Sequence, residues 1–503
     1  MSPARPCPSP FNLAAYVLAA GRAQPDKIAL SLLSKTGAEH WRYADLIQAV
    51  LGTATGLRAQ GLAPGDRVLL RLGNTVDFPL AYLGALAAGL VPVPTAAALT
   101  APEVAKIIAE LQPKLILRDA DVPCPEHPAI LTQPALRAMR DLPPTEPEMG
   151  DPERLGYIIY TSGTSGKPSA VTHAHRAIWA RRMMFEGWYG LRASDRVLHA
   201  GAFNWTYTLG TGLMDPWTVG ATALIPAPGT PAADLPELLA EHEASIFAAA
   251  PGVYRQMLKG DDLLPLPYLR HGLSAGEKMA DTVRDAWVKA TGTQVYEAFG
   301  MSECSTFISG SPTTPAAEGA IGTAQPGRRV QIMDAEGPVP AGTPGTIAIH
   351  QSDPGLMLGY LDAPEQTAAR YQGEWFLTGD QAAMDAQGQI TYLGRNDDMM
   401  NAGGFRVSPL EVEAVLSQAP GITSVGVASV EVKPNVDVIA AFYTSATSPL
   451  DVDALQAYAQ SNLARYKQPR LFIPVDALPV GGNGKLSRRK LRESYKASHD
   501  PDD

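Results

Sequence analysis

The sequence predicts an α/β protein: a large N-terminal domain of α/β sheet subdomains with a small β-rich subdomain, followed by a small α+β C-terminal domain. Short apolar or β-branched runs alternate with helical stretches through most of the chain, the pattern of largely parallel sheets. From Gly319 to about Leu393 it changes to closely spaced strands and glycine-rich turns. After Gly394 the polar stretch Arg395-Asn396-Asp397-Asp398 leads into a compact α+β pattern. These shifts divide the chain into residues 1–394, with a β-rich part at about 320–394, a connector at 395–398, and residues 399–503.

At the N-terminus Leu13, Tyr16, Val17 and Ala20 follow helical spacing after Pro6, Pro8 and Pro10, which reads as an amphipathic helix and not a signal peptide. Strands are expected at Arg67 to Leu72, Leu115 to Leu117, Tyr157 to Tyr160, Arg196 to Leu198, Ser245 to Ala249 and Gln294 to Tyr296. Phe78 to Pro102 carries no charge, but Gly84, Gly89, Pro92 and Pro94 interrupt it, so a buried helix followed by a buried strand is expected there rather than a membrane span. The β-rich part opens with strands at Arg329 to Met333 and Gly345 to His350. The last domain reads as helix Pro409 to Ser417, strands Val425 to Val430 and Asp437 to Tyr443, and helix Asp451 to Leu463, with a frayed polar tail after Arg492.

Composition narrows the function. Across 503 residues, 45% are hydrophobic and 18% charged, enough apolar material for more than one core. The 46 Gly and 44 Pro follow no repeat, so collagen-like and wholly disordered chains are excluded. A net charge of -10 disfavours nucleic acid as the main partner. Three scattered cysteines, Cys7, Cys124 and Cys304, write neither a disulfide framework nor a CxxC metal site, and the cytoplasm is the expected setting.

The stretch Tyr160-Thr161-Ser162-Gly163-Thr164-Ser165-Gly166-Lys167-Pro168 follows a strand and combines small residues, hydroxyls and one cation, which suits a loop wrapping phosphates. It is not a Walker A loop: two residues, not four, separate Gly163 from Gly166, and Pro168 stands where Ser or Thr would bind magnesium. His173 and His175 have no carboxylate or cysteine partners nearby in sequence, so packing or helix capping is expected of them, not zinc. No Gly-x-Ser-x-Gly elbow surrounds Ser162 or Ser165, and no activating base is evident for Cys304, which argues against a hydrolase.

Together with Ser274-Ala275-Gly276-Glu277, Phe299-Gly300-Met301-Ser302-Glu303, Leu377-Thr378-Gly379-Asp380, Gly394-Arg395-Asn396-Asp397-Asp398, Gly403-Gly404-Phe405-Arg406, Pro409-Leu410-Glu411-Val412-Glu413 and Gly484-Lys485-Leu486, the loop resembles the ordered signature of the adenylate-forming superfamily along nearly the whole chain. It is most similar to the benzoate-CoA ligase and medium-chain acyl-CoA synthetase branch, through Val171-Thr172-His173-Ala174-His175 and the stretch from Phe203 to Leu213.

The resemblance implies a carboxylic acid:CoA ligase that forms an acyl-adenylate from ATP, with Mg2+ and coenzyme A, and a mobile C-terminal domain. It assigns the phosphates to Thr161, Ser162, Gly163, Thr164, Ser165, Gly166 and Lys167, and the adenine to Gly276, Glu277, Phe299 and Gly300. Ser302 faces the α-phosphate, Glu303 holds magnesium, and Asp380 and Arg395 take the ribose. Lys485 contacts the substrate carboxylate and α-phosphate, Asp397 is the hinge, and Gly403 and Gly404 line the CoA tunnel. Phe203, Trp205, Tyr207, Ala249, Ala250, Ser274 and Thr306 are expected to line an acyl pocket for a small aromatic, cyclic or short- to medium-chain acid. The chain departs from the family where Ser169-Ala170 replaces the usual Lys-Gly. The competing readings are transfer to a carrier-protein arm, a nucleotide binder without ligase activity, and a luciferase-like oxygenase; monomer and homodimer stand equally open.

Overall fold

The computed structural model describes residues 5–161, 169–259, 264–396, 398–402, 405–433, 436–446, 450–463, 465–481 and 485–499. The chain forms two compact units. The first comprises Met1–Met279, Val283–Arg329 and Ile349–Phe376; the second comprises Ala280–Thr282, Val330–Ala348 and Leu377–Asp503. The sequence boundary at 394 falls inside the second unit, which also takes in part of the β-rich segment.

The first unit is built on a nine-stranded sheet in the order Thr323–Ala324, Ser305–Ser309, Gln294–Met301, His271–Ala275, Ile246–Ala249, Arg196–His199, Thr222–Pro226, Ile28–Ser34 and Gly37–Arg42. From Gln294–Met301 to Ile28–Ser34 every neighbouring pair is parallel, and the strands beyond are antiparallel. A second, all-parallel sheet runs Val91–Pro94, Arg67–Arg71, Leu115–Arg118, Ile130–Thr132. Sheets covered on both faces need strands apolar on both sides, which is why these runs are continuous rather than alternating. The charge-free stretch supplies all but the first residue of the fully buried helix Asp77–Ala87, and the fully buried strand Val91–Pro94, as its composition predicts. No helix among the described residues is long and apolar enough to cross a membrane.

One local pattern departs from the parallel scheme. Leu155–Thr161 and Ser169–Ala174 form an antiparallel pair whose register ends at Thr161 opposite Ser169. The glycine-rich stretch therefore joins two paired strands and not a strand to a helix.

Val330–Met333, Pro344–His350, Trp375–Met384 and Ile390–Arg395 share a sheet. A smaller sheet holds Ile422–Lys433, Val436–Ser445 and Leu471–Pro474, flanked by helices Pro409–Leu416 and Val452–Asn462. The expected frayed tail is instead the helix Arg488–His499. Leu491, almost fully buried, and Tyr495 lie one turn apart and pack with Val430 and Phe442, so a single apolar stripe anchors an otherwise charged helix.

Candidate active site

Ligands of open parallel sheets bind beyond the carboxyl ends of the strands, and the first unit gathers its motif residues there. His271–Ala275 leads into Gly276, whose φ of +101 belongs to glycine, and then Glu277. Gln294–Met301 carries Phe299 and Gly300. A Cβ on Gly300 would stand 2.6 Å from the Thr306 Cα, so only glycine lets the returning strand Ser305–Ser309 approach so closely. Phe299 packs edge-on against Phe307 with ring centroids 5.4 Å apart.

The turn between these strands presents Ser302 and Glu303, and two residues that motif reading did not assign to the site hold it. His173 donates from Nε2 to the Ser302 carbonyl at 2.7 Å, its ring stacked on Tyr157 at 4.8 Å. The Tyr360 hydroxyl donates to Glu303 Oε1 at 2.7 Å and aims that carboxylate. A third residue, Arg181, reaches the hydroxyl of Ser305, whose φ of +58 is rare for serine. Cys304 behind the turn is fully buried beside the ion pair of Arg328 and Asp353, and burial raises its thiol pKa well above the usual value, so it stays protonated and is no nucleophile.

Glu303 offers a hard oxygen donor, and among the described residues no three His, Cys, Asp or Glu side chains form a metal cage. That donor set fits magnesium arriving with ATP, which takes one or two carboxylates and completes its octahedron with phosphate and water oxygens. Thr161 ends its strand; Ser162, Gly163, Thr164, Ser165, Gly166 and Lys167 lie outside the described residues.

The expected acyl-pocket residues do not share one surface. Trp205 and Tyr207 pack together edge-on at 5.2 Å in a cluster with Met184, Ala248, Leu273, Ala275 and Ala298. Thr306 meets the Met184 sulfur on the same side. Ala249 packs in the opposite cluster, with Phe247 and Tyr254. Ser274 alternates with Leu273 and Ala275, and so also faces away from Tyr207, while Ala250 is the residue preceding helix Pro251–Met257. Phe203 packs on Phe78 at 5.9 Å within a separate core. Ala248, Leu273 and Ala275 lie on the Tyr207 side, and Ala249 and Ser274 face the other way.

His175 caps a helix as expected: its Nδ1 accepts from the Leu13 amide at 3.1 Å, at the start of Leu13–Leu18. Burial pushes His173 and His271 down to about 4, and His175 and His199 down to about 3, from an ordinary 6.5. Between those values the unfolded chain binds more protons, so stability is full above about pH 6.5 and falls as the pH drops toward 4 and 3. Chemical denaturation across that range is expected to show a loss on the order of several kcal/mol. A flat profile would contradict neutral burial.

In the second unit Asp380 and Arg395 are register partners across Trp375–Met384 and Ile390–Arg395, with Nη1 and Oδ2 3.7 Å apart. Tyr392, a further residue the motifs did not flag, donates to Asp380 Oδ1 at 2.8 Å and is kept protonated by burial and by that carboxylate. Lys485 precedes Leu486, which bridges Val480; the Gly481 amide donates to the Lys485 carbonyl at 2.7 Å. Helix Arg488–His499 follows at once, tied down by Arg488 to Glu413 through two bonds of 2.7 Å. Asp397, Gly403 and Gly404 lie outside the described residues; the neighbouring Asp398 accepts from Arg492 at 2.9 Å.

The profile of the AMP-binding enzyme family matches residues 18–361. This chain belongs to that family. The AMP-binding enzyme C-terminal domain matches residues 411–485, which end on Lys485. The benzoate--CoA ligase of Thauera aromatica is 31% identical over 94% of this chain and 96% of its own. The 3-hydroxybenzoate--CoA ligase of Aromatoleum sp. (strain CIB) is 29% identical over 92% and 93%. The crystal structure of the anthranilate CoA ligase AuaEII in complex with anthranoyl-AMP superimposes with a TM-score of 0.88, at 26% identity and 98% coverage of both chains. Within the AMP-binding enzymes the chain falls in the acyl-CoA synthetase branch, and it is an AMP-forming acid–thiol ligase.

Proposed function

We propose that the protein joins a compact aromatic carboxylic acid to coenzyme A. A carboxylate oxygen attacks the α-phosphorus of ATP, the bond to pyrophosphate breaks, and the CoA thiol then takes the acyl group while AMP leaves and the thiol proton passes to solvent. Positioning and charge neutralisation account for most of the catalysis in such a displacement. The observation that carries the aromatic reading is the packing of Tyr207 and Trp205 edge-on to one another beside Ala248 and Ala275, small residues next to aromatic partners. Relatives acting on benzoate and 3-hydroxybenzoate, and a neighbour holding anthranoyl-AMP, support it.

In this reading the stretch Thr161 to Lys167 wraps the phosphates and Ser302 faces the α-phosphate. Gly276, Glu277, Phe299 and Gly300 take the adenine. Glu303 would hold magnesium, which would supply neutralisation of phosphate charge. Asp380, aimed by Tyr392, accepts from the ribose hydroxyls and Arg395 donates to the sugar. Lys485 meets the carboxylate, Asp397 turns the C-terminal domain, and Gly403 and Gly404 admit the pantetheine arm. The free state of Cys7, Cys124 and Cys304 supports a reducing, cytoplasmic setting.

The test is release of pyrophosphate and AMP, with and without CoA, across benzoates, heteroaryl and cyclohexane carboxylates and aliphatic acids. CoA-dependent turnover greatest with a benzoate is expected. Pyrophosphate exchange without CoA-dependent turnover would point to a carrier-protein acceptor, and a preference for aliphatic acids would refute the aromatic reading.

A further inference from the structure

The helix that follows Lys485 is held by charge at two points along one face. Arg488, its first residue, donates to both oxygens of Glu413 at 2.7 Å and from Nε to the Val427 carbonyl at 3.1 Å. One turn on, Arg492 donates to Asp398 Oδ1 at 2.9 Å, and Asp398 Oδ2 stands 3.6 Å from Arg488 Nη1. One carboxylate thus spans residues i and i+4 of the helix. Arg492 meets no other carboxylate among the described residues, whereas Arg488 has Glu413 besides.

These contacts fix what apolar packing leaves loose. Leu491 and Tyr495 hold the helix to Val430 and Phe442, but apolar contact is non-directional and lets a helix slide and turn. A rod pinned at Arg488 alone can still swing about that residue, and a second bond one turn away sets its direction. The side chains of Asp398 and Arg488 are only 23% and 12% exposed, so salt screens their pairing less than that of two open surface charges.

What the helix carries is the lysine. Lys485 lies three residues ahead of Arg488, and between them Leu486 bridges Val480 and the Ser487 amide donates to the Pro479 carbonyl at 2.8 Å. A shift at the start of the helix is therefore passed to Lys485 through a segment too short and too well bonded to absorb it. Misplacing a reacting group by about 1 Å costs on the order of 10²-fold in rate.

We propose that Asp398 and Arg492 are positioning residues for Lys485: their ion pair sets the direction of helix Arg488–His499 and, through it, the place from which the lysine reaches its target. The inference rests on the assignment of Lys485 to the first half-reaction made above, and deepens it by naming the contact that aims the lysine. Neither residue is required to touch a reactant.

The test measures acid-dependent ATP–pyrophosphate exchange, with the best acid of the panel above, and thioester formation from its supplied adenylate and CoA. The proteins compared are the wild type, Asp398→Asn, Asp398→Glu, Arg492→Gln and the double variant Asp398→Asn with Arg492→Gln, with Lys485→Ala as control. Asp398→Asn, which is isosteric, and Arg492→Gln are each expected to lower kcat for exchange about tenfold, while KM for ATP and the thioester rate change by less than about twofold. The double variant is expected to be no slower than either single one, because the same contact is lost in all three. Asp398→Glu keeps the charge and is expected to recover most of the rate. A merely structural pair lowers the urea midpoint and both half-reactions together, and that result overturns the proposal. So does unchanged exchange, a loss confined to thioester formation, which would tie Asp398 to movement at Asp397 instead, or a double variant whose loss is the product of the single losses. Full exchange in Lys485→Ala overturns the assignment of the lysine itself, and the positioning role with it.

Discussion

Lys485→Ala is expected to lower acid-dependent ATP–pyrophosphate exchange by about 10²–10³-fold while thioester formation from supplied acyl-adenylate and CoA survives. The first half-reaction brings a carboxylate against a triphosphate, and a cation touching both reactants removes a repulsion that peaks as they meet. Once the adenylate exists that repulsion is gone, and the thiol attacks a neutral carbonyl. Lys485 directly precedes Leu486, which bridges Val480, and lies three residues before helix Arg488–His499, whose Arg488 is pinned to Glu413. A lysine so held loses less freedom on engaging its target than one on an open surface loop. Stopped assays of the two half-reactions separate the outcomes, and equal loss in both would remove Lys485 from the first step.

Asp215→Ala is expected to destabilise the protein by about 3–5 kcal/mol, the cost of leaving a buried guanidinium without its counter-ion. Arg181 donates to Asp215 through Nε at 2.8 Å and Nη2 at 2.6 Å, and Tyr189 donates to the same carboxylate at 2.7 Å. Thr211 shares Nη2, and the space beside Gly210, which a Cβ would fill, holds the guanidinium itself. Because Arg181 also holds Ser305, two residues past Glu303, adenylation is expected to fall along with stability. Denaturant titration measures the first effect, and Asp215→Leu combined with Arg181→Met should recover much of it by removing both charges. An Asp215→Ala variant of unchanged stability would show that the pair is dispensable.

What could be read before folding was what short stretches carry by themselves. Apolar runs such as Val91–Pro94 have to be buried strands whatever surrounds them, and the ordered motifs from the glycine-rich stretch through Ser302-Glu303 to Lys485 together carry the family resemblance that names the class of reaction. The tail helix escaped because Leu491 and Tyr495 are only two apolar contacts on a charged segment, and their value depends on the sheet beneath them.

Which strand residues share a surface with Tyr207 escaped for a different reason. The strands Ile246–Ala249 and His271–Ala275 were correctly placed, but a strand alternates its faces residue by residue, and only the packing of Tyr207 reveals which parity looks inward. Local sequence therefore supports Ala249 and Ser274 as readily as Ala248, Leu273 and Ala275. The supporting groups are equally invisible locally: Tyr360 reaches Glu303 across 57 residues and His173 reaches Ser302 across 129. The class of reaction resides in groups whose chemistry is intrinsic, and so it is written in the chain. The choice of acid depends on which side chains close register and packing turn toward one another, and a hydrogen bond or a pocket wall exists only after distant segments have met.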